Sequence, residues 1–242
     1  MKAGKTASLF VMASLFMVAA ATADDLRINS NDVFPRSSPD QSGFEDRILD
    51  EAFRRLGRTW ELIRVPSERA LASLNRGEID GDYVRIAGLE KTYPNLVQVK
   101  EPISTMDFGA FTLSGKLRFS SWEELRNRPI AMIIGWKIVE ERTRDFPYVT
   151  TVRDEESLFA LLRTGRVDAV IYDLLEGPRF LAKTGASGFI FPGPVLEHRD
   201  MYLYLNQKSG DLNEKLALVL ADMRKEGLIA TITSDVTTKA ER

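Results

Sequence analysis

The chain has 242 residues, with 33 Lys+Arg against 35 Asp+Glu, a formal net charge of −2, one His and no Cys. A hydrophobic fraction of 44% and a charged fraction of 28% exclude disordered, collagenous and coiled-coil classes, and the near-neutral balance without a long basic run argues against a nucleic-acid partner. Without Cys there is no disulfide framework, Cys-zinc site, iron–sulfur cluster or thiol nucleophile, and a single His excludes a multi-His metal centre.

In chain order, Lys2 and Lys5 form a positive n-region, and Thr6 to Ala23 carries no charge around an apolar centre that runs from Leu9 to Val18. Ala21-Thr22-Ala23 fits the small-x-small cleavage rule, so 1–23 reads as a secretory signal peptide cut after Ala23, leaving 219 residues. The competing reading is an N-terminal membrane anchor, against which the short apolar centre speaks. Leu26–Asn29 then reads as a buried strand, followed by an amphipathic helix over about 44–56 that ends at Gly57 and a strand over 60–65. A helix from about Arg69 leads into the next strand.

The sequence repeats weakly at matched spacing. Ala72 to Gly81 and Ala160 to Ala169 share the pattern A-x-L-x-x-G-x-[IV]-D-[GA], offset by 88 residues. Each copy is a helix ending at a left-handed Gly, then a short apolar strand begun by an Asp. The context repeats too, with a strand over 130–134, a short helix over 137–144, a strand over 148–152 and a helix opened by Glu155 and Glu156. Each half reads β-α-β-α-β, which implies two α/β lobes with parallel-leaning sheets. Strands over 107–113 and 201–205 bracket the second unit and would carry the chain across and back, and a helix over about 212–226 would return to the first lobe. The expected organisation is therefore a discontinuous lobe of 24–108 with 203–242, and a second lobe of 109–202, joined by a two-strand hinge. Ligands bind in such clefts, where strand ends and helix N-termini converge.

With those elements in place, GFEDRILDEAFRRLG, RALASLNRGEIDG, SWEELRNRPIAMIIG, SLFALLRTGRVDAVIYD and LVLADMRKEGLIATI, in that order and spacing, resemble the periplasmic solute-binding proteins of ABC transporters. The resemblance is to family 3, the polar amino-acid-binding branch, and implies the type 2 periplasmic-binding fold with hinge closure on a small solute. It covers nearly all of the chain after residue 23. One segment departs from the family pattern. Where amino-acid binders carry a Ser/Thr-rich stretch and then a carboxylate-clamping Arg, this chain has DGDYVRIAGLEKTYPNL, with no Ser or Thr from Asp80 to Leu89, an early Arg85, and Lys91 or Thr92 near the clamp position.

The candidate ligand-binding residues are Arg85, which follows a strand end and offers a bidentate guanidinium, with Asp82 and Tyr83 beside it. In the second lobe they are Gly135, Trp136 and Lys137, where a helix N-terminus suits an anionic group. Asp173 ends the strand 169–172, and the resemblance implies that it holds a ligand amine; as a helix N-cap it has an equally local role. Asn29 and Ser30, with Asp32, follow the first strand, and Arg69 opens a helix near the cleft. Arg69, Arg85 and Lys137 lean toward an anionic or zwitterionic ligand. Asp80 and Asp168, the paired repeat acids, read as structural, and His198 reads as surface.

The function these observations imply is capture of a small polar or charged solute, amino-acid-like or organic-acid-like, for delivery to an ABC-transporter permease. The protein would be periplasmic and monomeric, without metal or cofactor. The alternatives are a dehydratase-like periplasmic enzyme on the same fold and a ligand-sensing partner of a membrane receptor. No G-x-S-x-G, HExxH or phosphate-loop motif supports an enzyme.

Overall fold

A computed structural model describes residues 25–113, 117–186 and 190–239. The expected signal peptide lies outside the described residues. Among those described, no helix is long and apolar enough to cross a membrane.

The first unit runs β1 (Leu26–Asn29), α1 (Phe44–Arg55), β2 (Trp60–Ile63), α2 (Ser67–Arg76) and β3 (Gly81–Arg85). β1 lies between β2 and β3, parallel to both, with Leu26 opposite Trp60 and Ile28 opposite Gly81. After a short β4 (Leu96–Gln98), β5 (Ser104–Thr112) and a single-turn α3 (Trp122–Leu125), the second unit repeats the arrangement. It comprises β6 (Ile130–Ile133), α4 (Lys137–Arg142), β7 (Val149–Val152), α5 (Glu155–Arg163) and β8 (Ala169–Asp173). β6 lies between β7 and β8, again parallel to both. Gly77 and Gly165, which terminate α2 and α5, both adopt left-handed backbone with φ of 71° and 66°. Asp80 accepts the Arg27 amide at 2.8 Å, tying the first helix–strand turn to β1.

α6 (Glu176–Lys183) leads to β9 (Phe191–Asn206), and the chain ends in α7 (Leu212–Lys225) and α8 (Leu228–Lys239). β9 joins the two half-sheets. Its end pairs antiparallel with β3 and β4, its start pairs antiparallel with β5, and β5 pairs with β8. The resulting strand order is β2-β1-β3-β9-β5-β8-β6-β7. β9 is 16 residues long, far more than the expected 201–205. Pro192, Pro194 and the charged run Glu197–Asp200 disguise it. The prolines sit where β9 pairs with β5 alone, so their missing N–H groups interrupt no central ladder.

Each half-sheet buries both faces under helices, as a parallel sheet requires. In the first half, Ile48, Leu49 and Phe53 of α1 pack with Leu216 and Met223 of α7 and Ile229 and Val236 of α8. Leu71 and Leu74 of α2 cover the other face with Tyr204. In the second half, Val139 lies on Met132 and Ile171, while Leu158, Phe159 and Leu162 of α5 lie on Ile133 and Val170. α8 was not expected as a separate helix. Its β-branched sequence ITSDVTT has weak helix propensity, and packing on α1 and α7 overrides that.

The N-terminus of α1 sets up the site. Asp46 accepts the amides of Gly43 and Ser38 at 3.0 and 2.9 Å, and Arg36 O accepts the Glu45 amide at 3.0 Å. The 36–38 backbone thus lies directly on Gly43, where a Cβ would come within 2.1 Å of Arg36 O and 2.6 Å of Ser37 Cα. Because backbone cannot yield as a flexible side chain would, Gly43→Ala should cost about 1–3 kcal/mol by overpacking, checked by urea denaturation against wild type.

Candidate functional site

One buried guanidinium gathers residues from both units and from the hinge. Arg36, 2% exposed, donates through Nη1 to Glu45 Oε1 of α1 at 2.8 Å. Through Nη2 it donates to Asp173 Oδ2, at the end of β8, and to Thr105 O of β5, both at 2.9 Å. Its Nε lies 4.0 Å from Glu176 Oε1. Asp173 Oδ1 accepts the amides of Leu175 and Glu176 at 2.6 and 2.7 Å, capping α6. Glu176 accepts the Val33 amide at 3.1 Å, and Ser104 of β5 donates to Glu45.

Asp32 completes the acidic ring. It is 9% exposed, its Oδ2 is buried, and that oxygen accepts no hydrogen bond. Four buried carboxylates, Asp32, Glu45, Asp173 and Glu176, thus surround one guanidinium. Burial, reinforced by Glu45 and Asp173, raises Asp32 well above the carboxylate range despite Arg36. Burial together with Asp32 and Asp173 raises Glu176 likewise, and burial raises Glu45.

Two adjoining cavities open beside this ring. One, of about 30 Å³, is lined by Asp32, Tyr83, Arg85, Phe108 and Trp136. The other, of about 160 Å³, lies between Asp32, Ser67, Glu155, Trp136, Tyr172 and Glu176. The Trp136 and Tyr172 rings stack with centroids 5.1 Å apart and 18° between planes. The first unit meets the second across this gap at Gly135, whose φ is +90° and where a Cβ would lie 2.6 Å from Glu68 N and 2.8 Å from Ser67 Cβ.

The sequence candidates fall into three groups. Asn29, Asp82 and Arg85 form one buried network. Arg85 Nε and Nη2 hold Asp82 Oδ2 at 2.7 and 2.6 Å, its Nη1 and Nη2 reach Ser67 Oγ and O, and Asn29 donates to Asp82 Oδ1 at 3.0 Å. Val84, between Tyr83 and Arg85, has φ of +61° at a register break in the β3–β9 pairing. The bulge turns Arg85 back onto Asp82, a use of strain common beside binding sites. Tyr83 is buried, donating to Asp46 and 3.0 Å from Ser37 Oγ. Ser30 is buried and its Oγ accepts the Asp32 amide at 3.2 Å.

Gly135, Trp136 and Lys137 form the second group, facing Ser67 and Glu68. The Gly135 amide donates to Glu140 Oε1 at 2.7 Å, so the anion-binding position is filled by the chain's own carboxylate. Lys137 bonds Glu140 at 2.8 Å and pairs with Glu68 across the gap. Asp173 belongs to the Arg36 ring. Arg69 is exposed and lines neither cavity. His198, also exposed, lies 2.5 Å from Asp107 on the β5–β9 pair.

Arg36, Glu45, Ser104, Tyr172 and Glu176 escape sequence reasoning. Glu45 sits in the first turn of α1, where an acid already has a reason to be, and Arg36 lies in a loop without periodicity. The one available signal was Glu176, which follows Asp173 by one helical turn. Among the described residues, no group of three or more His, Cys, Asp or Glu is arranged to hold a metal ion.

No protein-family profile matches the chain. An uncharacterised protein of Shewanella oneidensis is 26% identical over 192 residues, covering 75% of this chain and 71% of its own. Among solved structures, the GluR0 ligand-binding core in complex with L-glutamate has a TM-score of 0.77 at 15% identity, covering 89% of this chain and 99% of its own. A histidine kinase sensor domain similar to periplasmic binding proteins has a TM-score of 0.75 at 17% identity, over 88% and 96%. A mutant of ArgBP from T. maritima has 0.74 at 21% identity, over 88% and 95%. At these identities the likeness is one of fold, and the chain has the two-lobe α/β architecture of type 2 periplasmic-binding proteins.

The raised acids make stability depend on pH in a definite direction. A carboxyl raised in the folded state holds its proton where the unfolded chain, with a pKa near 4, has lost it. Its contribution is therefore full below about pH 4 and is lost as pH rises through the folded value. Half-buried Glu51 and exposed Glu78, lowered to about 2 by their Arg partners, stay ionised between pH 5.5 and 7.5 and do not offset it. The protein should melt higher at pH 5.5 than at pH 7.5, by roughly 2–4 °C per kcal/mol. Asp32→Asn should flatten that difference in differential scanning calorimetry.

Proposed function

We propose that the chain is an exported solute-binding protein. It captures a small polar or charged solute between lobe 1 (24–108 with 203–242) and lobe 2 (109–202) and delivers it to the permease of an ABC transporter. The observation that carries this reading is the pair of cavities at the junction of the two units, walled by buried charge and aromatic rings and bounded by the β5–β9 hinge. Such a two-strand hinge lets lobes close as rigid bodies, and a solute contacting both shifts the population toward the closed form. We place the protein in the periplasm as a monomer, with binding rather than turnover as its task. The similarity in fold to a sensor domain keeps a ligand-sensing role, reporting occupancy to a membrane receptor, as the second reading.

Several observations support the site assignment. Ser67 and Glu68 of lobe 1 meet Gly135 and Lys137 of lobe 2 directly, so closure brings helix N-termini from both lobes to one point. Tyr83 and Arg85 line the lobe 1 wall and Trp136 the lobe 2 wall, while Asn29 and Asp82 hold Arg85, Ser30 holds the Asp32 backbone and Asp173 holds Arg36 from behind. Asp32, Tyr172 and Glu176 join them.

The mature exported protein should begin at Asp24 in an intact-mass measurement. Thermal unfolding against amino acids, organic acids, polyamines and sugars should give a rise with one class; a ligand at 100 times its Kd stabilises by about 2.7 kcal/mol. No rise with any class would count against the solute-binding reading. Gly135→Ala should cost about 1–2 kcal/mol from left-handed backbone. It should also abolish ligand-induced compaction in small-angle scattering, because the new methyl meets the Glu68 backbone of the opposite lobe.

A further inference from the structure

Resting on the solute-binding reading, we infer that the solute is a small organic cation, an alkylammonium or amidinium group without a carboxylate, seated against Asp32 and Glu176 beside Trp136 and Tyr172. The sequence leans the other way, toward an anion or zwitterion, on the strength of Arg69, Arg85 and Lys137. The structure assigns each of those charges elsewhere. Arg85 spends its donors on Asp82 and Ser67, Lys137 is shared by Glu68 and Glu140, and Arg69 lies outside both cavities. The helix N-terminus that would receive a carboxylate already receives one, from Glu140.

The acceptors show the opposite imbalance. Around Arg36 there are four buried carboxyl groups, and two of their buried oxygens, Asp32 Oδ2 and Glu45 Oε2, have no hydrogen-bond partner, against one such donor, Arg36 Nε. An uncompensated buried carboxylate costs several kcal/mol, and a cation donating into the ring removes that cost while gaining charge-assisted hydrogen bonds. Asp32 and Glu176 line the 160 Å³ cavity, which is also lined by Asp154, Glu155, Trp136 and Tyr172.

The neighbouring positive groups do not cancel this field. Arg64 is exposed and bonds the carbonyls of Ser30 and Asp32 and the Ser37 hydroxyl. Arg153, also exposed, stands at the rim of the larger cavity. Arg179 of α6, half-buried beside Glu155 and Glu176, donates to Leu175 O. Among the described residues, no group of three or more His, Cys, Asp or Glu is placed to hold a metal ion. At about 30 Å³ per water, the cavity takes roughly five water-sized units, the scale of an ammonium or guanidinium head with a short stem.

The test is titration calorimetry and thermal unfolding of the mature protein with agmatine, putrescine, arginine, glutamate and succinate. Agmatine and arginine share a guanidinium and differ in the carboxylate. At least one of agmatine and putrescine should bind, with agmatine about tenfold or more tighter than arginine, and glutamate and succinate should leave the midpoint unchanged. Asp32→Asn and, separately, Glu176→Gln should weaken the cation by about tenfold or more. Both should raise the midpoint of the ligand-free protein at neutral pH, because each removes a buried acid whose ionised form the fold disfavours; a merely structural role would lower it. Binding of glutamate or succinate, or of arginine as tightly as agmatine, overturns the inference and leaves the solute-binding reading standing. No response to either cation also overturns it, and the wider solute panel then decides the solute-binding reading by itself.

Discussion

A single guanidinium, that of Arg36, holds contacts that no other residue could make together. It joins Glu45 on the first helix of one lobe, Asp173 at the last strand of the other and the Thr105 carbonyl on the hinge strand between them. A planar fork with five donors can satisfy three directions at once, where a lysine offers a point charge. Burying it is costly, and removing one partner of a buried pair costs about 3–5 kcal/mol because the other charge is left exposed to a poor solvent. The ring around it is therefore a constraint as much as a bond. Gly43 has to be small so that the Arg36 backbone can lie on α1, and β5 has to pass close enough for Thr105 and Ser104 to reach the ring.

The same arrangement explains why the two walls of the cleft behave differently. On the β3 side, a bulge at Val84 turns Arg85 inward, and Asp82, Ser67 and Asn29 complete its hydrogen bonding. That wall is self-contained and neutral. Around Arg36, where α1 and the loop after β1 meet the end of β8, one guanidinium meets four carboxyl groups, and the mismatch is met by upward-shifted carboxyls and two unpartnered oxygens. Buried polar groups left unpaired are rare in folded proteins, and strain of this kind collects where a ligand is to be bound.

Much of the architecture was legible because it rests on local rules. The helix–Gly–strand–Asp device at 72–81 and 160–169 appears as two left-handed glycines in matching places, and β1 fell on the expected four residues. Long-range constraint hid the rest. The first part of β9, 191–200, was not expected as strand, because its prolines and charges are tolerated only by the particular neighbour each residue meets. α8 reads as strand-prone because its threonines and isoleucines are judged without α1 and α7 beneath them. Neither fact is available until the sheet is assembled.

The candidate residues were legible by their place at strand ends and not by their pairing. Residue types after β1, β3, β6 and β8 mark the cleft, since topology alone brings those strand ends together. Charge does not follow from type in the same way. Arg85, Lys137 and the Gly135 amide are anion receptors only while unpaired, and their partners Asp82, Glu140 and Glu68 lie within a few residues or across the gap. Asp32 reads as cleft lining or a plain loop acid alike, and the fold leaves its buried Oδ2 without a partner. Selectivity in such a cleft is set by what remains after the protein has satisfied itself, and that remainder is a property of the pairing and not of the composition.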